Sequence, residues 1–202
     1  VATDVAPTTH TAMTLFDQRH IRRAFSRSAA GYDAAAALLH EVEKRLMESL
    51  DYLALRQGET ARSDPKLVLD VGCGPAHAAA AMHKRWPKAQ VVALDLALPM
   101  LREAKKQAGW WRPFSRVCAD LRALPLADGS ADVLFCNLSL QWVGDLPAAF
   151  AGFRRVLKPG GLLLCSTFGP ETLQELREAF SHADAAPHVS PFPPIAQYGD
   201  AL

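Results

Sequence analysis

Apolar residues recur along this chain in two rhythms. Between Arg19 and Ala30, Ile21, Ala24, Phe25 and Ser28 fall at helical spacing, with Arg22, Arg23 and Arg27 largely off that stripe. A second helix is predicted over Asp33–Leu53, with Leu38, Leu39, Val42, Leu46, Leu50 and Leu53 on its apolar face. From Lys66 onward, short apolar runs alternate with helical stretches, the pattern of a parallel sheet with crossover helices. The strands predicted are Leu67–Val71, Gln90–Asp95, Phe114–Cys118, Ala131–Asn137 and Gly161–Thr167; the helices are Ala76–Trp86, Pro99–Ala108, Leu146–Val156 and Glu171–Ala183. LVLDV and DVLFC run without polar alternation, as strands covered on both faces do.

These patterns predict an α/β fold, a doubly wound and mostly parallel sheet, and divide the chain as follows. Residues 1–15 form a flexible lead-in, 16–55 an N-terminal helical segment and 66–183 the core; 184–202 form a proline-rich tail read as a loop over Ala185–Tyr198. The polar stretch Arg56–Lys66, with Gly58 and Pro65, reads as a linker. The chain begins at Val1 and ends at Leu202, just after what looks like the approach to another strand, so a processed or partial chain is expected.

Composition narrows the picture only a little. The chain has 202 residues, half of them hydrophobic, enough for one core. Its net charge of +1 provides no overall attraction to nucleic acid or to an anionic membrane. No apolar run approaches the roughly 20 residues of a membrane span, and the N-terminus lacks the apolar region of a secretory signal. Cys73, Cys118, Cys136 and Cys165 are scattered in apolar contexts and read as reduced structural thiols of a cytoplasmic protein. No pair among the seven histidines stands at i, i+3 or i, i+4, so no metal is expected.

The chemistry concentrates in LVLDVGCGPAH, a strand that ends in a glycine-rich turn and opens a helix. Gly72 can take positive φ there and Gly74 lets a ligand approach the backbone, at the strand end where open α/β sheets bind ligands. A dinucleotide fingerprint needs a third glycine where His77 stands. Asp70, two residues before the first glycine, would repel a diphosphate but could help hold an ammonium group. S-adenosylmethionine carries an ammonium, a sulfonium and no phosphate. Asp95, closing the strand VVALD, can accept hydrogen bonds from both ribose hydroxyls or else cap the following helix. Asp120, after the third strand, can accept the adenine amino group beside the backbone of Leu121, or be a turn residue.

The series VLDVGCGPA, VVALDLALPML, ADLRALPLADGSADVLFCNLSLQWV and RVLKPGGLLL resembles the Rossmann-like class I methyltransferases over about Lys66–Phe168. More narrowly, AFSRSAAGYD, NLSLQWV and FGPETLQELREAF…PHVSPF resemble the malonyl-[acyl-carrier protein] O-methyltransferases of biotin synthesis. A related group of mitochondrial complex I assembly factors shares the NLSLQW-like and PHVSPF-like segments. The chain departs from the common pattern at Ala76, where a third glycine is usual, and at Ala131, where a phenylalanine is.

The resemblance implies S-adenosyl-L-methionine held by Asp70, Gly72, Gly74, Asp95, Leu96, Asp120 and Leu121, with Asn137 and Leu138 near its reactive methyl. It also implies Gln141 and Trp142 on the substrate side, Tyr32 and Phe25 closing over the cofactor from an N-terminal helical lid, and C-terminal strands missing from the sheet. Helix packing alone would also place Trp142, Tyr32 and Phe25, and Lys158–Gly161 reads as the turn into the fifth strand. A malonyl carboxylate is already ionised, so no general base is expected and no catalytic residue is assigned. An acidic acyl-carrier protein would dock on Arg19, Arg22, Arg23 and Arg27. A methyltransferase acting on another small acceptor, or a non-methylating assembly factor retaining the fold, are the competing readings.

Overall fold

The structure is a computed structural model that describes residues 17–56, 64–183, 189 and 192–202, without the side chains of 51–56. The expected lead-in, most of the linker and most of the PHVSPF segment lie outside the described residues. The elements are α1 (Gln18–Ser28), α2 (Tyr32–Ala35), α3 (Ala37–Arg56), β1 (Leu67–Val71), α4 (His77–Arg85), β2 (Gln90–Asp95), α5 (Leu98–Ala104), β3 (Ser115–Cys118), β4 (Ala131–Cys136), α6 (Leu146–Val156), β5 (Leu157–Cys165), α7 (Gln174–Ser181) and α8 (Ile195–Ala201).

The five strands form one parallel sheet in the order β3-β2-β1-β4-β5. Successive side chains point to opposite faces, and the register aligns them into rows. Val92, Leu69, Leu134 and Leu163 share one face, packed under α6; Val91, Val68, Val133 and Leu162 share the other, packed with α4. Each fully buried aliphatic side chain contributes about 1.5–3 kcal/mol, which is why these runs tolerate no polar alternation. Asp70 is the exception on β1, buried at 2 % exposure.

Several boundaries differ from the sequence expectation. The helix predicted over Asp33–Leu53 is broken at buried Ala36, leaving the one-turn α2 ahead of α3. Ala24 and Leu38, expected inside, are exposed; Ile21, Phe25 and Ala29 face inward from the first helical turns. Lys158–Gly161 lies inside β5 as an irregularity: Ala131 pairs with Leu157 and Val133 with Leu162, so the β5 backbone bulges. The tail expected to be a loop contains α8, which starts directly after Pro194, a residue tolerated at a helix start but not within one. Its Tyr198 is buried and accepts a hydrogen bond from Thr167 Oγ1 at 2.9 Å. No helix among the described residues is long and apolar enough to cross a membrane.

Candidate functional site

The chain winds outward from β1 in both directions, so the connections after β1 and β4 diverge and leave a crevice at the strands' carboxyl ends. The turn after β1 forms its floor. Gly72 has φ +71° and Gly74 φ +50°, a region costly for other residues. The peptide N–H groups of Gly72 and Cys73 both donate to Leu94 O, tying the turn to β2. Gly72 is also crowded, because a Cβ there would lie 2.1 Å from Ser139 Oγ, which donates to Gly72 O and Asn137 O. Ala76 takes φ +66° without being glycine and is fully buried, so the turn keeps its path at the cost of strain.

A cleft of about 720 Å³ opens above this floor. Asp95, Leu96, Ala119, Asp120 and Leu121 line one side; Val71, Leu138, Trp142 and Val143 line the other. Gln18, Ile21, Phe25 and Tyr32 of the N-terminal helices cover it. A smaller cleft of about 390 Å³ adjoins it through Tyr32, Gly72, Gly74 and Asn137, and contains Asp70, Glu43, His40 and His77.

Each acid is held by named partners. Asp95 Oδ2 accepts the Gly74 N–H at 2.9 Å and Oδ1 the Ala97 N–H at 2.7 Å. Burial pushes its carboxyl up against those hydrogen bonds. Asp70 Oδ2 accepts the Ala79 N–H at 2.9 Å, and burial together with Glu43 pushes its carboxyl well above the usual range. Among the described residues neither acid pairs with a basic side chain, so the site favours a cationic ligand and opposes a diphosphate. Asp120 differs: burial would raise it, but the Arg122 guanidinium and backbone N–H hold it below its usual value.

At the end of β4, Asn137 donates from Nδ2 to Leu39 O and accepts from Ser166 Oγ. Leu138 sits at φ +45°, fixed by bonds from its N–H to Ser166 and from Gln141 Nε2 to its carbonyl. Gln141, expected on the substrate side, is instead buried behind the wall with its Oε1 unpartnered among the described residues. Trp142 does reach the cleft, edge-on to Phe25 at 5.5 Å. Phe25 in turn meets Tyr32 at 6.3 Å, giving an aromatic cover. Burial and the charges of Asp95, Asp33 and Glu43 push the Tyr32 phenol up to about 12, keeping it neutral. Cys73 is no thiolate: burial, then Asp70 and Asp95, raise it well above its usual value.

Sequence reading missed Gln18, whose Nε2 donates to Trp142 O, and Ser139 and Ser166, which knit the two strand ends. It also missed a cluster of Asp33, His40 and His77, because those residues stand at no ligand-like spacing.

Comparison with known proteins follows this geometry. Residues 69–165 match the family described as Methyltransferase domain. A protein of Xylella fastidiosa named malonyl-[acyl-carrier protein] O-methyltransferase is 61% identical over 188 residues, 93% of this chain and 61% of that protein. One of the same name from Gallionella capsiferriformans is 42% identical, over 93% of this chain and 64% of its own length. The chain therefore spans somewhat over three fifths of these relatives. Among solved structures, an S-adenosylmethionine-dependent methyltransferase from Thermotoga maritima superposes with TM-score 0.60 at 18% identity, covering 89% of this chain and 77% of that one. The [4+2]-cyclase SpnF does so with TM-score 0.54 at 23% identity, covering 75% and 56%. At such identities the likeness shows the fold alone.

Proposed function

We propose that the protein is an S-adenosyl-L-methionine-dependent methyltransferase that methylates the free carboxylate of a malonyl thioester carried on acyl-carrier protein, in biotin synthesis; the match of residues 69–165 to the methyltransferase-domain family supports this reading. The observation that carries the reading is the order of acids around one crevice. Asp70 lies in β1, Asp95 ends β2 and Asp120 follows β3, and Asp70 and Asp95 lack basic partners among the described residues. We assign Asp95 and Leu96 to the ribose, Asp120 and Leu121 to the adenine, and Asp70, Gly72, Gly74 and Asn137 to the methionine end. Tyr32 and Phe25 are assigned to the lid. The similarity of the two named relatives supports the malonyl acceptor and, with it, a cytoplasmic setting.

The bound cofactor supplies an electrophilic methyl group on a positively charged sulfur. Asp95, Leu96, Asp120 and Leu121 would hold that cofactor, which would supply its methyl group to an acceptor carboxylate oxygen. This chain's part is to position and to dry the site. No proton has to move, because the acceptor carboxylate is already ionised. Apolar walls from Ile21, Phe25, Leu138, Trp142 and Val143 exclude water and hold the reacting atoms in line, contributions worth several kcal/mol (about 7–11 in the best-aligned cases).

Calorimetric titration with S-adenosylhomocysteine is the first test: saturable binding by the wild type and at least about tenfold weaker binding by Asp95→Ala, as loss of a charged hydrogen-bond acceptor requires. Labelled methyl transfer should then appear on malonyl acyl-carrier protein and not on quinone precursors. Absence of binding by the wild type would end the cofactor assignment, and binding without turnover on any acceptor would favour a non-methylating role.

A further inference from the structure

We propose that Asp33, His40 and His77 form a site for a divalent transition-metal ion of the zinc type, which joins the N-terminal helices to the core. The three residues come from α2, α3 and the first position of α4, and their ligand atoms lie within 4.8 Å of one another. Both imidazoles turn Nε2 toward the same carboxylate oxygen: His77 lies 3.0 Å and His40 3.8 Å from Asp33 Oδ1. The two rings meet edge to face at 4.9 Å. Zinc bonds of about 2.0–2.2 Å in tetrahedral arrangement separate donor atoms by about 3.3 Å. The Asp33–His77 edge is already close to that length, and His40, 3.8 Å from Asp33 Oδ1, must draw in to complete the triangle.

A hydrogen bond explains why His77 approaches Asp33, but it does not require His40 to present the same nitrogen to the same oxygen. A shared cation would account for both rings converging there. Its surroundings are suitable, since the adjoining cleft holds Glu43 and Asp70 and, among the described residues, is lined by no lysine or arginine. The three side chains are between 31 and 51% exposed, which leaves a path for the ion and room for water as a fourth ligand. Two imidazoles and one carboxylate suit zinc, cobalt or nickel rather than magnesium or calcium. An ion here would fasten α2 and α3 to α4 beside Tyr32 and the glycine turn, tightening the cover of the cleft. The inference rests on these three residues and holds whatever the acceptor or the reaction.

The test is titration of the 202-residue chain with zinc by calorimetry and with cobalt by visible absorption, comparing wild type, His40→Gln, His77→Ala and Cys118→Ser. We expect one ion per chain, a tetrahedral cobalt spectrum, and at least about tenfold weaker binding in each histidine variant. Cys118→Ser, which removes an exposed thiol elsewhere, should bind as the wild type does. Zinc should also raise the thermal midpoint of the wild type and not of His40→Gln, because an ion bound to the folded form stabilises it. Should His77→Ala fail to fold, His40→Gln, on a half-exposed helix position, carries the comparison. Unchanged affinity in the histidine variants, loss of binding in Cys118→Ser, or no saturable binding by the wild type would overturn the proposal.

Discussion

Substituting Gly72 by alanine tests whether the crevice is built by two strand ends crossing at one residue. At φ +71° an alanine costs about 1–2 kcal/mol. Its Cβ would fall 2.1 Å from Ser139 Oγ and 2.6 Å from Ser139 Cβ, so Ser139 must leave. Leaving breaks the one hydroxyl bond that it shares between Gly72 O and Asn137 O, worth about 1 kcal/mol. The reduced freedom of the unfolded chain returns about 0.4–1 kcal/mol. The expected net loss is therefore about 2 kcal/mol, read as a lower urea midpoint at unchanged slope. Gly31→Ala is the control, with φ −107° and nothing within 4 Å of its added Cβ, and should be neutral or slightly stabilising. Adding Ser139→Gly to Gly72→Ala removes the clash but not the strained φ, so the double-mutant cycle should show a favourable coupling of about 1–2 kcal/mol. A loss below about 1 kcal/mol in Gly72→Ala, or no coupling to Ser139, would refute the reasoning.

Asp70 makes a pH prediction. Folding raises its carboxyl well above the ordinary 3.8, so the folded state holds that proton more tightly than the unfolded chain. Ionisation therefore costs nothing below 3.8 and takes away stability as pH rises through the folded value. Asp70→Asn should gain stability relative to wild type in urea titrations as pH rises from the ordinary 3.8 toward the raised folded value; a gap constant with pH would exclude that origin. Phe25→Ala should weaken S-adenosylhomocysteine binding by about tenfold, since it removes the ring joining Tyr32 to Trp142, and unchanged affinity would make the aromatic cover mere packing. Charge reversal at exposed Arg22 and Arg23 should reduce methylation of malonyl acyl-carrier protein more than of a malonyl coenzyme A analogue. Equal loss on both substrates would remove the docking role of α1.

The alternation of apolar strands with helical stretches, the turn at Gly72 and Gly74, and the order of Asp70, Asp95 and Asp120 were legible in the chain itself. These are local quantities: a strand buried on both faces shows as a continuous apolar run, and a residue that must take positive φ is usually glycine. Even there the local signal had limits. Leu38 lies on the apolar stripe of its helix yet is exposed, because burial depends on which neighbour arrives, and Tyr198 sits in a proline-rich stretch yet is buried by its contact with Thr167. Only the tertiary structure turned Gln141 inward, set Ser139 against Gly72, and brought Asp33, His40 and His77 to one point. Those contacts join residues far apart in the chain, and no periodicity or spacing encodes them. They depend on where the sheet order and the packing of the N-terminal helices bring separate segments together.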